Sequence, residues 1–189
     1  RAGAVQRPVA AYSESELDGL PAPVARYFRT VLRDGQPMIR RARVVWDGQF
    51  NMGTPSSDTW KPFVALQEFV PIAAGFVWDA RVAMLPGIPI LVRDAFVNGE
   101  GSMHGAVLGA YTVVRSRGTP AMAAAALQRY LAEAVWLPTA LLPSQGVTWT
   151  SIDATSARAT LSSGGTTVSL DVAFGTDGLI TSVFSPDRL

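Results

Sequence analysis

The chain has 189 residues, enough to bury a sizeable core in one domain and short for two independent ones. Its 16 Lys and Arg balance 15 Asp and Glu, so the formal charge of +1 gives no electrostatic footprint for nucleic acid. The absence of cysteine excludes disulfides, thiolate metal sites and cysteine nucleophiles, and a single histidine excludes a His-rich metal site.

The apolar share is 48% and the charged share 16%, against about 25% charged in ordinary globular chains, which leaves apolar surface to be explained. No apolar run reaches the roughly 18 residues of a membrane-spanning helix. The chain therefore reads as soluble, and membrane association would need a segment upstream of Arg1.

Residues 1–12 lack periodicity and read as a loosely ordered arm ahead of a single domain over 13–189. Ser13 and Glu16 have the spacing of a capping box. After Pro21 and Pro23, the apolar residues Val24, Tyr27, Phe28, Val31 and Leu32 share one helical face and Arg26, Arg29 and Arg33 the other, so an amphipathic helix is expected to cover a sheet. Strands follow at 43–50 and 59–70. Phe76, Trp78, Ala80, Val82 and Met84 then alternate with Val77, Asp79, Arg81 and Ala83. Pro86-Gly87 suits a turn into a returning strand over 88–97, and Asn98-Gly99 is a strong hairpin signal. Gly105 and Gly109 are expected to bend one strand in 101–115.

Thr119 caps and Pro120 opens a second helix that ends before Pro138. Four further strands, at 147–152, 157–161, 166–174 and 179–185, are separated by turn signals and are expected to extend the first sheet. The fold class is thus α+β: a curled antiparallel half-barrel of about nine strands with an N-terminal helix and a middle plug helix.

Three strings, Gly75-Phe-Val-Trp-Asp-Ala-Arg81, Val92-Arg-Asp-Ala-Phe-Val-x-Gly-x-Gly101 and the run Arg129–Gly146, resemble the core of a bacterial family known as a domain of unknown function. The resemblance runs from about Leu20 to Val183. The element order also resembles the outer-membrane lipoprotein carrier and receptor, whose half-barrel holds acyl chains. That likeness implies a lipid or another hydrophobic small molecule as ligand and leans toward the cell envelope, without naming a residue.

Aromatic walls supply contact area at low entropic cost, so Trp46, Trp60, Phe69, Trp78, Tyr130 and Trp136 are candidates to line an apolar pocket, with Arg81 and Arg93 to hold a polar head. With a two-residue turn at Pro86-Gly87, Asp79 falls opposite Asp94 and Arg81 lies diagonal to it on one face. Such a bridged carboxylate pair is either a ligand or acid–base cluster or an ordinary ion network. His104, opposite Arg93 in the Asn98-Gly99 register, is the one side chain with an ordinary titration near neutrality.

The leading expectation is a non-catalytic module that binds a hydrophobic small molecule. The alternative is a cyclase, isomerase or hydrolase using Asp79, Asp94 or His104 as acid or base. A third reading is an interaction protein with an exposed sheet edge or apolar patch. Ser144 lacks the Gly-x-Ser-x-Gly elbow, and the glycine pairs lack the context of a phosphate loop. No metal or cofactor is implied, and the sequence sets no oligomeric state.

Overall fold

Period-two patterning and well-placed turns give ten strands and two α-helices in the computed structural model, which describes residues 10–54, 58–85 and 87–185. The expected arm lies outside these residues through position 9, as does Pro86 of the expected turn. Within the arm's described end, Ala11 bridges Pro37, and the buried Tyr12 donates its backbone N–H to Gln36.

The architecture is α+β, with helices α1 (Ala22–Val31) and α2 (Pro120–Glu133). Strands β1 (Ala42–Asn51), β2 (Trp60–Val70), β3 (Gly75–Leu85), β4 (Ile88–Val97), β5 (Glu100–Val107) and β6 (Tyr111–Arg117) form one antiparallel sheet in chain order. Strands β7 (Val147–Ser151), β8 (Ser156–Ser163), β9 (Thr166–Phe174) and β10 (Ile180–Phe184) form another. The second meander is therefore a separate sheet, not an extension of the first. The expected count of about nine becomes ten because 101–115 holds two strands. Leu108 and Gly109, at φ 53° and 74°, close a tight turn between them, since both central residues of a type I′ turn need positive φ.

Contacts divide the described chain into two compact units: residues up to Arg40 with Leu131–Ser162 and from Thr167 onward, and Arg41–Tyr130 with Ser163–Thr166. In the first unit, α1 lays its apolar face on the four-stranded sheet, as its periodicity requires. Val24 and Phe28 are fully buried, Phe28 meets Trp149 edge-on at 6.4 Å, and Tyr27 packs on Phe174 at 5.8 Å. Burial pushes the Tyr27 phenol up to about 12. The capping box does not form. Ser13 caps a short 3-10 turn, Glu14–Leu17, by accepting from Ser15, while Glu16 turns away and accepts the backbone N–H of Ser144 at 3.3 Å.

In the second unit, the period of two separates a face covered by α2 from an open face. Phe69, Phe76 and Phe96 stand opposite one another on the covered face and are at most 1% exposed. Thr119 caps α2 by accepting the Met122 N–H at 3.1 Å. The helix backbone sits so close to β5 that a Cβ on Gly101 would overlap the Met122 carbonyl. Gly99 and Gly164, both at positive φ, touch backbone to backbone and leave no room for a side chain on either.

Candidate functional site

The open face of the six-stranded sheet collects most of the charged residues singled out in the sequence. Register aligns Val45, Leu66, Asp79, Arg93, His104 and Arg115 in one cross-strand row, and Asp47, Val64, Arg81, Leu91, Ala106 and Thr112 in the next. Arg93 donates from Nε and Nη2 to the two carboxylate oxygens of Asp79 at 2.6 and 2.7 Å, a bidentate pair that raises the Arg93 pKa further. His104 lies opposite Arg93, as its hairpin register requires, with Nε2 3.3 Å from Thr112 Oγ1.

The expected Asp79–Asp94 pair is not formed, nor is its bridge by Arg81. Leu85 pairs with Ile88 as a two-residue turn demands, but a bulge between Ala83 and Leu85 shifts the register by one. Asp79 then faces Arg93, and Trp78 faces Asp94. A slip of one residue sends a side chain to the other face. The cause lies in the partner strand, where Pro89 has no N–H for the ladder; strands accommodate such a residue at bulges.

Asp94 consequently sits on the covered face, 7% exposed, and accepts from Arg129 Nη1 of α2 at 2.5 Å. The Arg129 guanidinium lies 5.1 Å from the centroids of both Phe76 and Trp78, which satisfies its charge from the ring faces as well. Beside it, the fully buried Gln67 accepts the Trp46 indole N–H at 3.1 Å. Tyr130 packs on Phe69, and its phenol, raised by burial, donates to the Pro71 carbonyl at 3.4 Å. Phe69, Trp78 and Tyr130, expected around a ligand, are thus part of the packing between helix and sheet. Trp60 is exposed at the start of β2, and the exposed Trp136 belongs to the first unit.

Asp79, Asp94 and His104 are not brought together as an acid–base set. Asp94 is on the opposite face from the other two. Asp79 and His104 are two strands apart, with Arg93 between them. At about 4.8 Å per strand, they lie beyond direct proton transfer.

The open face instead holds a shallow trough of about 500 Å³. Val45, Val64, Leu66 and Leu91 line it, with Asp79 and Arg81 of β3 standing between Leu66 and Val64 on β2 and Arg93 and Leu91 on β4. Val45 is 78% exposed and Val64 54%, unusual for aliphatic groups on the solvent side of a sheet. Arg93 also borders a neighbouring cleft of about 610 Å³ that contains His104, Arg115 and Arg117. Arg117 pairs with Glu100 at 3.3 Å, whereas among the described residues no ion pair engages Arg81 or Arg115. The sequence reading passed over Val45, Val64, Leu66 and Leu91. The available signal was their alternation with buried residues on strands whose second face should have been polar.

Among the described residues, no helix is long and apolar enough to cross a membrane, and no cluster of three or more His, Cys, Asp or Glu is placed to hold a metal. The fold and site together define an α+β protein of two antiparallel sheets, one with an open, apolar-lined and arginine-flanked face. The chain belongs to a family of unknown function, DUF6544, whose model matches residues 10–189. No curated protein and no solved structure matches it.

Proposed function

We propose that this protein binds a lipid or another hydrophobic small molecule without transforming it, and that the ligand lies in the trough on the open face of the six-stranded sheet. The observation that carries this reading is the grouping of exposed Val45, Val64 and Leu91 with Arg81 and Arg93 around about 500 Å³ of open space. Aliphatic groups left in water gain by covering, roughly 25 cal/mol for each Å² removed from solvent. A chain lying along them would place an anionic or polar head at Arg81, whose guanidinium has no carboxylate partner among the described residues. The covered face offers less: Phe69, Phe76, Val82 and Phe96 there are already at most 1% exposed. The resemblance of the element order to lipoprotein carriers, which extends to an antiparallel sheet with a helix on one face, leans the same way.

The test is titration with a fluorescent fatty acid against the native protein and Val64→Asp, a change on an exposed side chain. Saturable binding that the variant weakens at least about tenfold is expected, since the substitution puts a charge on the trough floor and repels the carboxylate. Equal binding by both proteins would remove the trough from the account.

A further inference from the structure

The open face of β4, β5 and β6 gathers cations that the packing of the sheet does not use. Ahead of the bulge between Gly105 and Ala106, register places His104 opposite both Arg93 and Arg115, and Ser102 opposite Arg117. Arg93, His104, Arg115 and Arg117 thus stand around the Ser102 hydroxyl, and all of them border the cleft of about 610 Å³. Arg115 and Arg117 are two residues apart on one strand, about 7 Å at the rise of a β-strand. Neighbouring like charges on one face lower the stability of a sheet.

The carboxylates nearby do not offset these cations equally. Asp79 gives both oxygens to Arg93, at 2.6 and 2.7 Å. Glu100 is the one carboxylate among the described residues that line the cleft, and Arg117 reaches a single oxygen of it, from Nε and Nη2, both at 3.3 Å. Arg115 has no ion pair among the described residues. The three arginines therefore run from committed, through loosely held, to open. Clefts lined by one sign of charge concentrate the opposite ion.

The geometry points to this cleft as a binding site for a phosphate monoester carried on a small polyhydroxy body. A guanidinium fork matches two oxygens of a phosphate. Arg115 and Arg117 supply two forks with the Ser102 hydroxyl beside them, so a tetrahedral dianion has an oxygen for each, whereas a planar carboxylate has too few. The cleft is larger than a phosphate group alone and leaves room for hydroxyls to donate to Glu100. Among the described residues that line it there is no Phe, Trp or Tyr, so no ring is offered to stack a nucleotide base, which favours a phosphorylated polyol or sugar. A phosphate monoester is also the headgroup of a monoacylglycerol phosphate, and Arg93 borders both this cleft and the apolar trough. The site itself does not depend on the trough being filled.

The experiment is calorimetric titration of the full chain with glycerol 3-phosphate at about pH 8, where a phosphate monoester carries nearly two charges. Saturable binding that salt weakens is expected, with glycerate, the carboxylate of similar size, about tenfold weaker or more. Arg115→Gln should weaken glycerol 3-phosphate about tenfold or more, the loss of one charge-assisted fork, while its thermal midpoint stays unchanged or rises because a repulsion is relieved. Glu100→Gln should tighten binding about threefold, since it frees Arg117 and removes a like charge, a gain that misfolding cannot produce. Arg40→Gln, the same loss of charge on an exposed residue outside the cleft, should leave the affinity unchanged. Absence of binding by the native chain would overturn the proposal, as would equal binding of glycerate or equal losses in Arg115→Gln and Arg40→Gln. Oleoyl lysophosphatidate distinguishes the two sources: tighter binding than glycerol 3-phosphate, with the excess lost in Val64→Asp, assigns a lipid headgroup, and no excess assigns a free phosphorylated polyol. Fatty-acid binding should be unchanged in Arg115→Gln, so failure of this site and failure of the trough are read separately.

Discussion

Replacing Arg129 with leucine tests whether Asp94 is part of the packing or a group held in reserve for chemistry. The native carboxylate has a side-chain exposure of 10%, and its partner 25%. Removing the cation strands a charge among Phe76, Trp78 and the α2 surface. Breaking a fully buried pair from one side costs about 3–5 kcal/mol; the partial exposure of Arg129 places this case near the lower end, about 3 kcal/mol. Loss of the guanidinium from two aromatic rings contributes roughly 1 kcal/mol of that figure. Asp94→Asn should cost less, about 1–2 kcal/mol, because the amide still accepts a hydrogen bond and no charge is stranded. The double change Asp94→Leu with Arg129→Leu should be more stable than Arg129→Leu alone, since it removes both charges from the apolar face. Urea unfolding followed by tryptophan fluorescence reads all three, with Trp78 against the guanidinium as a local reporter. A loss below about 1 kcal/mol for Arg129→Leu, or a double variant no more stable than Arg129→Leu, would refute a structural role for the pair.

Gly101→Ala should destabilise by about 3 kcal/mol, the upper range of overpacking, because the new methyl meets the helix backbone at Met122 and not a movable side chain; a thermal midpoint within a degree of the native one would contradict the close approach of α2 to β5. In the four-stranded sheet, Arg158 donates to both oxygens of Asp171 at 2.7 and 3.0 Å and holds that carboxyl below its ordinary value. Its folded pKa being depressed, the pair's contribution is present above the unfolded value of about 3.9 and is lost as pH falls through the lower folded value. Acid titration of stability should therefore be shallower in Arg158→Met than in the native chain, and parallel curves would show the pair to be silent.

Much of the secondary structure was legible because each element carries its own chemistry. Thr119-Pro120 marks the start of α2, Asn98-Gly99 places His104 opposite Arg93, and the alternation from Phe76 to Val82 separates the two faces of β3. The site was less legible because it depends on one register step. Pro89 signals a possible irregularity in β4, yet nothing local says whether the compensating residue lies before or after the turn, and that choice moved Asp94 from the Asp79 face to the α2 face. Sheet membership was lost for a different reason. The alternation of β7–β10 resembles that of the first meander, and whether two such meanders share an edge is decided by long-range packing. Gly109 reads as a bend and not as part of a turn because the residue before it is leucine, whose positive φ in the structure runs against the usual preference of such a turn.

The central claim, that the ligand occupies the open-face trough, is tested most directly by methyl-labelled NMR during titration with a fatty acid. The account predicts shifts at the methyl groups of Val45, Val64, Leu66 and Leu91, with those of Val82 on the covered face and Leu127 on α2 unmoved. Shifts confined to Val82 and Leu127 would place the ligand between helix and sheet and contradict it.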